Sequence, residues 1–262
     1  MSEEQEVYGS DEIIESDVPG YMDHSPMFDG AKAILCMAVY MHVEPEAMES
    51  LMIAMSRFDR TVLRFMSQEK TCVWESRNRL AHRFLETDSD WMIFIDADMA
   101  IPCGNATYFN TRFRQKLPDR IAGMNAIQRL LSHSGNIGVI GASYFDRQIG
   151  TQLQCSRGCG TMAEVGFNER FRRGEVTGVH EVLWTATGGM RIHRSVFEKI
   201  RDNKDKFPEI IPRKEGGIWG YFTPHRVSMG EDVAFCARAR LSGFKIWQDF
   251  DLRFMHKSHH FN

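Results

Sequence analysis

The chain has 262 residues, 43% of them hydrophobic and 26% charged, with a formal net charge of −3 at pH 7. A chain of this length can bury a sizeable core and reads as one α/β domain rather than two, and its composition is that of an ordinary globular protein. No apolar run approaches the roughly 18 residues a membrane-crossing helix needs, which sets aside a helical membrane span.

The charge is unevenly spread. Glu3, Glu4, Glu6, Asp11, Glu12, Glu15, Asp17, Asp23 and Asp29 fall in residues 1–30, which hold no Lys or Arg; taking these nine from the 35 acids leaves 26 against 32 bases, a body of +6. Residues 1–30 therefore read as an acidic leader. The body, 31–262, suits polyanionic ligands such as a nucleotide diphosphate or a nucleic acid. The start has neither a basic n-region nor an apolar h-region, so a cytoplasmic protein is expected. Cys36, Cys72, Cys103 and Cys236 sit in apolar stretches and read as buried free thiols, in keeping with that compartment.

Ala33–Tyr40 (AILCMAVY) is a short apolar run suited to a buried parallel strand. Pro45 opens a helix at its first turn, with Met48, Leu51, Met52 and Met55 on one face. Thr61–Met66 reads as a second strand, and Glu75–Leu85 as a helix that turns Leu80, Phe84 and Leu85 inward. Trp91–Ile95 (WMIFI) is a third strand, and it stops abruptly at Asp96-Ala97-Asp98. The alternation predicts right-handed crossovers and a mostly parallel sheet flanked by helices.

Ile121, Met124, Ile127 and Leu131 mark another helix, and Ile137–Ala142 another strand. Ser143–Val182, rich in Gly and Arg, predicts loops and short strands over the site. Gly189–His193 is a strand passing into a helix over Ser195–Ile200. Glu231–Leu241 is a helix with Val233, Cys236, Ala237 and Leu241 on one face, closed by Gly243. Phe244–Trp247 and Leu252–Met255 predict two short terminal strands.

Ligands of open α/β sheets bind beyond the carboxyl ends of the strands. Two carboxylates placed there, Asp96 and Asp98, repel each other, and a divalent cation that prefers hard oxygens, Mg²⁺ or Mn²⁺, relieves that repulsion. Such a cation can bridge a diphosphate and neutralise the charge that grows on it as a leaving group. An Asp-X-Asp alone also occurs as an exposed turn, and the apolar strand in front is what singles this one out. Gly230-Glu231-Asp232 puts two acids in the first turn of a helix. They either serve the helix dipole or supply a general base for an acceptor hydroxyl. His256, after the last apolar strand, is either an exposed histidine or an imidazole for the same metal or the diphosphate.

Together these pieces resemble the GT-A glycosyltransferases, family 2-like, of the small soluble bacterial and phage kind. Three segments carry the likeness. Glu75-Ser76-Arg77-Asn78 leads through a helix into Trp91–Met99 with its Asp-X-Asp; Thr187-Gly188-Gly189-Met190-Arg191-Ile192-His193-Arg194 is similar to the family's glycine-containing strand; and Gly230–Cys236, with Gly243–Trp247 and His256, looks like its Glu-Asp helix and metal-side histidine. The resemblance implies a Rossmann-like single domain and a hexosyl or pentosyl transfer from a nucleotide-diphosphate sugar, with Mn²⁺ or Mg²⁺. It implies Asp98 as main metal ligand and His256 as a further one. Asp96 would contact the ribose, or the metal through water, with Ala97 beside the donor. Asp232, or less readily Glu231, would be the base. Ala38, Tyr40, Arg77 and Asn78 would border the nucleotide base, and Gly188 and Gly189 would let the sugar approach the backbone.

The chain departs from the family at Ala38-Val39-Tyr40-Met41, where a polar Pro-Thr turn is common. It also lacks the Gln-X-X-Arg-Trp motif and membrane helices of polysaccharide synthases. For the acceptor, Arg112, Arg114, Arg120, Arg147, Arg157, Arg170, Arg172 and Arg173 are interleaved with Tyr108, Phe109, Phe113, Tyr144, Phe145, Phe167 and Phe171. That pattern can track phosphates and stack bases, so a hydroxylated pyrimidine in DNA is the leading expectation, ahead of a glycan, lipid-linked sugar or protein. A nucleotidyltransferase is the alternative class, although Met41-His42-Val43-Glu44 is no glycine-rich phosphate loop. Cys155 and Cys159 are too few for a zinc site of their own.

Overall fold

A computed structural model of the chain describes residues 32–40, 42–69, 71–112, 119–145, 154–156, 160–204, 217–225 and 230–256. In chain order the elements are β1 (Ala33–Val39), α1 (Pro45–Met55), β2 (Leu63–Glu69), α2 (Val73–Leu85), β3 (Trp91–Ile95), β4 (Met99–Ala100), α3 (Ala106–Arg112), α4 (Asp119–Ala122), α5 (Ala126–Ser132), β5 (Val139–Ser143), β6 (Cys155–Ser156), α6 (Gly160–Arg172), β7 (Val179–Val182), β8 (Trp184–Thr185), β9 (Gly189–His193), α7 (Arg194–Asp202), α8 (Glu231–Leu241), β10 (Ile246–Arg253) and β11 (Met255–His256). The acidic leader lies outside the described residues.

The central sheet has seven strands in the order β2-β1-β3-β9-β5-β10-β7. β2, β1, β3, β5 and β10 run one way, while β9 and β7 run against their neighbours. The mostly parallel α/β sheet expected from the sequence is thus the one observed. β1 shows why its run is apolar without alternation. Ile34, Cys36 and Ala38 pack into one core layer, and Ala33, Leu35, Met37 and Val39 into the layer on the opposite face. A strand buried on both faces has no polar side to show.

Several boundaries differ from the sequence reading, each for a local reason. β2 begins at Leu63 and runs to Glu69, because as an edge strand it buries little beyond Leu63. In α1 the buried face is Ala47, Ser50, Leu51 and Ala54, and Met52 faces solvent at 64% exposure. The single helix expected through Ile121 and Leu131 is two, α4 and α5. Asn125 starts the second as its N-cap, with its side-chain oxygen accepting from Gln128 N at 3.1 Å.

The stretch expected to be loops and short strands contains α6, whose Phe167 and Phe171, four residues apart, both meet the ring of Phe250. In α8 the buried residues are Ala234, Phe235, Cys236, Arg238 and Ala239, while Leu241 is exposed. The two expected terminal strands are one, β10, because the polar residues that seemed to interrupt it are buried with partners. Asp249 accepts from Arg129 Nε at 2.7 Å and lies 2.9 Å from His133 Nε2. Cys36, Cys103 and Cys236 are buried free thiols as expected, but Cys72, at the N-cap of α2, is exposed.

Candidate active site

The acidic turn after β3 is built from the strand outward. β3 is buried along its whole length, so the chain meets solvent only at Asp96. Three backbone bonds then fix the turn: Met99 N donates to Asp96 O (3.1 Å), Glu44 N to Ala97 O (2.9 Å) and Asp96 N to Gly188 O (3.4 Å). Beyond it, β4 pairs antiparallel with β11, setting His256 opposite Met99. That pairing brings His256 Nε2 to 3.3 Å from Asp98 Oδ2, both side chains keeping less than a fifth of their surface exposed. The ring edge of Tyr144 packs 5.8 Å from the His256 ring.

Beside this pair stands a second cluster, organised by Arg77. Arg77 occupies the inward face of α2 with Leu80, Ala81 and Phe84, and its side chain is only 3% exposed. Its Nη2 donates to both oxygens of Asp96, at 2.8 and 3.1 Å, and its Nη1 to Glu231 Oε1 (2.7 Å) and Asp232 Oδ1 (2.9 Å). Burial works against the guanidinium's charge, but Asp96, Asp232 and Glu231 outweigh it and hold its pKa above the ordinary value. Thr187 Oγ also donates to Asp232 Oδ1, at 2.6 Å. Burial pushes Asp232 up to about 6; Arg77 pulls it down and Glu231 adds to the rise.

Three carboxylates around one guanidinium leave a surplus of negative charge when all are ionised. Among the described residues, no group of three or more His, Cys, Asp or Glu side chains converges as a complete metal cage. Asp98 and His256 converge on one side, while Asp96 is taken up by Arg77. That donor set fits a Mg²⁺- or Mn²⁺-like ion held by a few protein ligands and completed by substrate phosphates and water, and it does not fit an all-protein cage.

The remaining expected residues fall in different places. Tyr40 stands out at the end of β1, 68% exposed, whereas Ala38 is packed in the core. Asn78 is fully buried and spends both ends of its amide inside the protein. Its Nδ2 donates to Thr223 Oγ (3.1 Å) and its Oδ1 accepts from Phe222 N (2.8 Å). Arg238 holds the same segment from α8, donating to Tyr221 O at 2.8 Å and Thr223 O at 2.6 Å.

The glycines at the start of β9 are required by the protein's own packing. A Cβ on Gly188 would stand 2.5 Å from Tyr144 Oη, and one on Gly189 would stand 2.4 Å from the Phe254 ring. Tyr144 Oη also accepts from Gly188 N at 2.9 Å. Burial, then the charges of Asp96 and Asp232, raise its pKa, so Tyr144 stays a neutral phenol.

Sequence reasoning missed Thr187 as a partner of Asp232 and the buried role of Arg77. The second had a signal: Arg77, Leu80, Ala81 and Phe84 recur at helical spacing, and an arginine on the buried face of a helix calls for acidic partners. Thr187 had none, because its partner lies on a different element.

No protein-family model and no curated protein matches the chain. Among solved structures it is similar to protein A197 from STIV, with 14% identity, 85% of each chain covered and a TM-score of 0.47. It is also similar to a glycosyltransferase involved in the glycosylation of the major capsid of PBCV-1 (12% identity, 68% of each chain, TM-score 0.29). A third likeness is to an apo UDP-glucose pyrophosphorylase (10% identity, 87% of this chain and 75% of that one, TM-score 0.35). Likenesses this distant carry nothing about the reaction.

The arginine- and aromatic-rich middle divides. Phe113, Arg114, Arg147, Arg157 and Cys159 lie outside the described residues. Phe109, Tyr144 and Phe171 are core side chains and present no face to a base. Arg112 pairs with Glu49 (3.2 Å), Arg173 with Glu175 (2.8 Å), and Arg172 lies over the Phe145 ring at 4.9 Å. No helix among the described residues is long and apolar enough to cross a membrane.

Proposed function

We propose that the chain is a metal-dependent glycosyltransferase that moves a sugar from a nucleotide-diphosphate sugar to an acceptor hydroxyl. One observation carries this reading. The Asp98–His256 pair and the Arg77-centred carboxylates stand side by side at the carboxyl end of β3, where open α/β sheets take their ligands.

A site with surplus carboxylate repels a diphosphate unless a cation comes with it, and Asp98 and His256 are the side chains that would hold that cation. When bound, the cation offsets the charge that gathers on the departing diphosphate. Asp232 is the general base, with Glu231 the lesser candidate. An acceptor oxygen attacks the anomeric carbon, the bond from that carbon to the diphosphate oxygen breaks and its electron pair leaves with the nucleotide. The acceptor's proton passes to Asp232. Asp96, held by Arg77, faces the donor beside Ala97, and the exposed ring of Tyr40 offers a platform at the end of β1 for the nucleotide base.

The test is release of nucleotide from UDP-glucose, UDP-N-acetylglucosamine and GDP-mannose, with Mn²⁺, with Mg²⁺ and with chelator, first with water as acceptor. Metal-stimulated release that Asp98→Asn abolishes supports the assignment. If no activated sugar releases nucleotide under any of these conditions, the assignment is wrong. Modified DNA enters the same assay as an acceptor, because the body of the chain is basic. Its arm is negative if hydroxymethylated DNA neither accelerates release nor shows salt-sensitive association.

A further inference from the structure

We infer that Thr187 is a positioning residue which, with Arg77, ties up one oxygen of Asp232 and leaves the other, Oδ2, as the atom that receives the acceptor's proton. The inference rests on the reading of Asp232 as the base and goes one step further, to which atom acts and what aims it.

Asp232 Oδ1 takes two donors, Thr187 Oγ at 2.6 Å and Arg77 Nη1 at 2.9 Å. Two donors fill the two lone-pair directions of a carboxylate oxygen. Oδ2 accepts no hydrogen bond from the described residues, and the side chain keeps 22% of its surface exposed. Turning the carboxylate about its own axis would break both bonds at once.

Thr187 is itself held on every side. It is fully buried, its β-branched side chain is stiff, and the next residue is clamped at both backbone atoms. Gly188 N donates to Tyr144 Oη (2.9 Å), and Gly188 O accepts from Asp96 N (3.4 Å). The hydroxyl that aims the base is thus anchored to the same turn that carries the metal-side acids. In the reaction the acceptor's O–H bond breaks toward Oδ2 as its oxygen bonds the anomeric carbon, and the nucleoside diphosphate leaves with the electron pair of the old bond.

The experiment compares wild type, Thr187→Val, Thr187→Ser and Asp232→Asn in metal-dependent hydrolysis of UDP-glucose, UDP-N-acetylglucosamine and GDP-mannose, with water as the acceptor. Thr187→Val keeps the shape and removes the donor. It is expected to lower kcat by about 10- to 100-fold, the scale on which a misaimed catalytic group acts, while leaving KM for the sugar nucleotide within about twofold. Thr187→Ser, which restores the hydroxyl, is expected to stay within about threefold of wild type in kcat. If Thr187→Val does not fold, Thr187→Ala takes its place beside the serine variant. Full kcat in the valine or alanine variant, with Asp232→Asn inactive, overturns the role of Thr187 and leaves the base standing. Full kcat in Asp232→Asn overturns the base, and this inference with it. Absence of turnover in wild type overturns the transferase reading that both rest on.

Discussion

Arg77 Nη2 reaches both carboxylate oxygens of Asp96, at 2.8 and 3.1 Å. An Asp-X-Asp at this strand end therefore does not depend on a cation between its two acids. The protein itself offsets the charge of Asp96 through Arg77, while Asp98 lies against His256 on the other side of the turn.

The first prediction is a division of labour within that motif. If Asp98 holds the cation as proposed, Asp98→Asn should weaken Mn²⁺ binding in the presence of UDP by at least about tenfold, the scale on which loss of a charged ligand acts. Asp96→Asn should change Mn²⁺ affinity less. Titration calorimetry on the two variants checks the order, and equal losses would place Asp96 among the ligands.

Arg77→Met should destabilise the fold. It leaves Asp96, Glu231 and Asp232 facing one another without their shared cation. Removing one partner of a buried ion pair costs about 3–5 kcal/mol, and the partial exposure of these carboxylates puts the loss near the low end. Urea unfolding at pH 7 measures it. The gap should narrow at pH 5, where Asp232, whose pKa burial raises to about 6, can take up a proton once Arg77 no longer holds it charged.

Activity should follow the ionisation of Asp232. Burial raises its pKa to about 6, and as the proposed base it works only in its charged form, so turnover should fall as the pH drops through about 6 and level off above about 7. A pH profile of kcat/KM for sugar-nucleotide hydrolysis checks this. An acid limb centred near pH 4 would mean that an ordinary carboxylate, not Asp232, is the group titrating.

Away from the site, Asp249 should link stability to acid. It is fully buried; burial alone would raise its pKa, but the bonds from His133 and Arg129 lower it below the ordinary carboxylate value. A carboxyl whose folded pKa lies below its unfolded value of about 3.9 stabilises fully above that value. The contribution is lost as pH falls through the folded pKa. Asp249→Asn should therefore lower stability at pH 7 by about 3 kcal/mol and flatten the acid side of the stability curve below pH 4. Urea midpoints between pH 3 and pH 7 give both readings.

Packing makes the last prediction. Gly189→Ala places a Cβ 2.4 Å from the buried Phe254 ring and 2.9 Å from Ala142 Cβ, and overpacking of this kind costs about 1–3 kcal/mol. Gly135→Ala meets no atom within 4 Å and should shift stability by less than about 0.5 kcal/mol. Thermal melts of the two variants side by side check the contrast.

What the sequence made legible follows the range of the forces involved. β1 and β3 were readable because burial on both faces writes an unbroken apolar run, and Asp96 and Asp98 because charge cannot continue such a run. α4 and α5 read as one helix because a single side chain, Asn125, decides where the second begins. β10 reads as two strands because Gln248, Asp249 and Asp251 resemble a break in sequence, whereas in the fold Arg129 and His133 partner the buried Asp249. Within the site the residue types were legible and their pairings were not. That Asn78 clamps residues 222–223, and that Gly188 makes room for Tyr144, depends on contacts between elements far apart in the chain.

The reversed β9 has a consequence for how the molecule is made. It is the seam between β2-β1-β3 on one side and β5-β10-β7 on the other. During synthesis the first three strands can assemble as soon as Ile95 has emerged. β5, by contrast, has no sheet neighbour until residues 189–193 or 246–253 follow. The nascent chain can therefore pair its first three strands early while the apolar β5 waits, and the rim that joins Asp96 to Gly188 closes only when β9 arrives between the two halves.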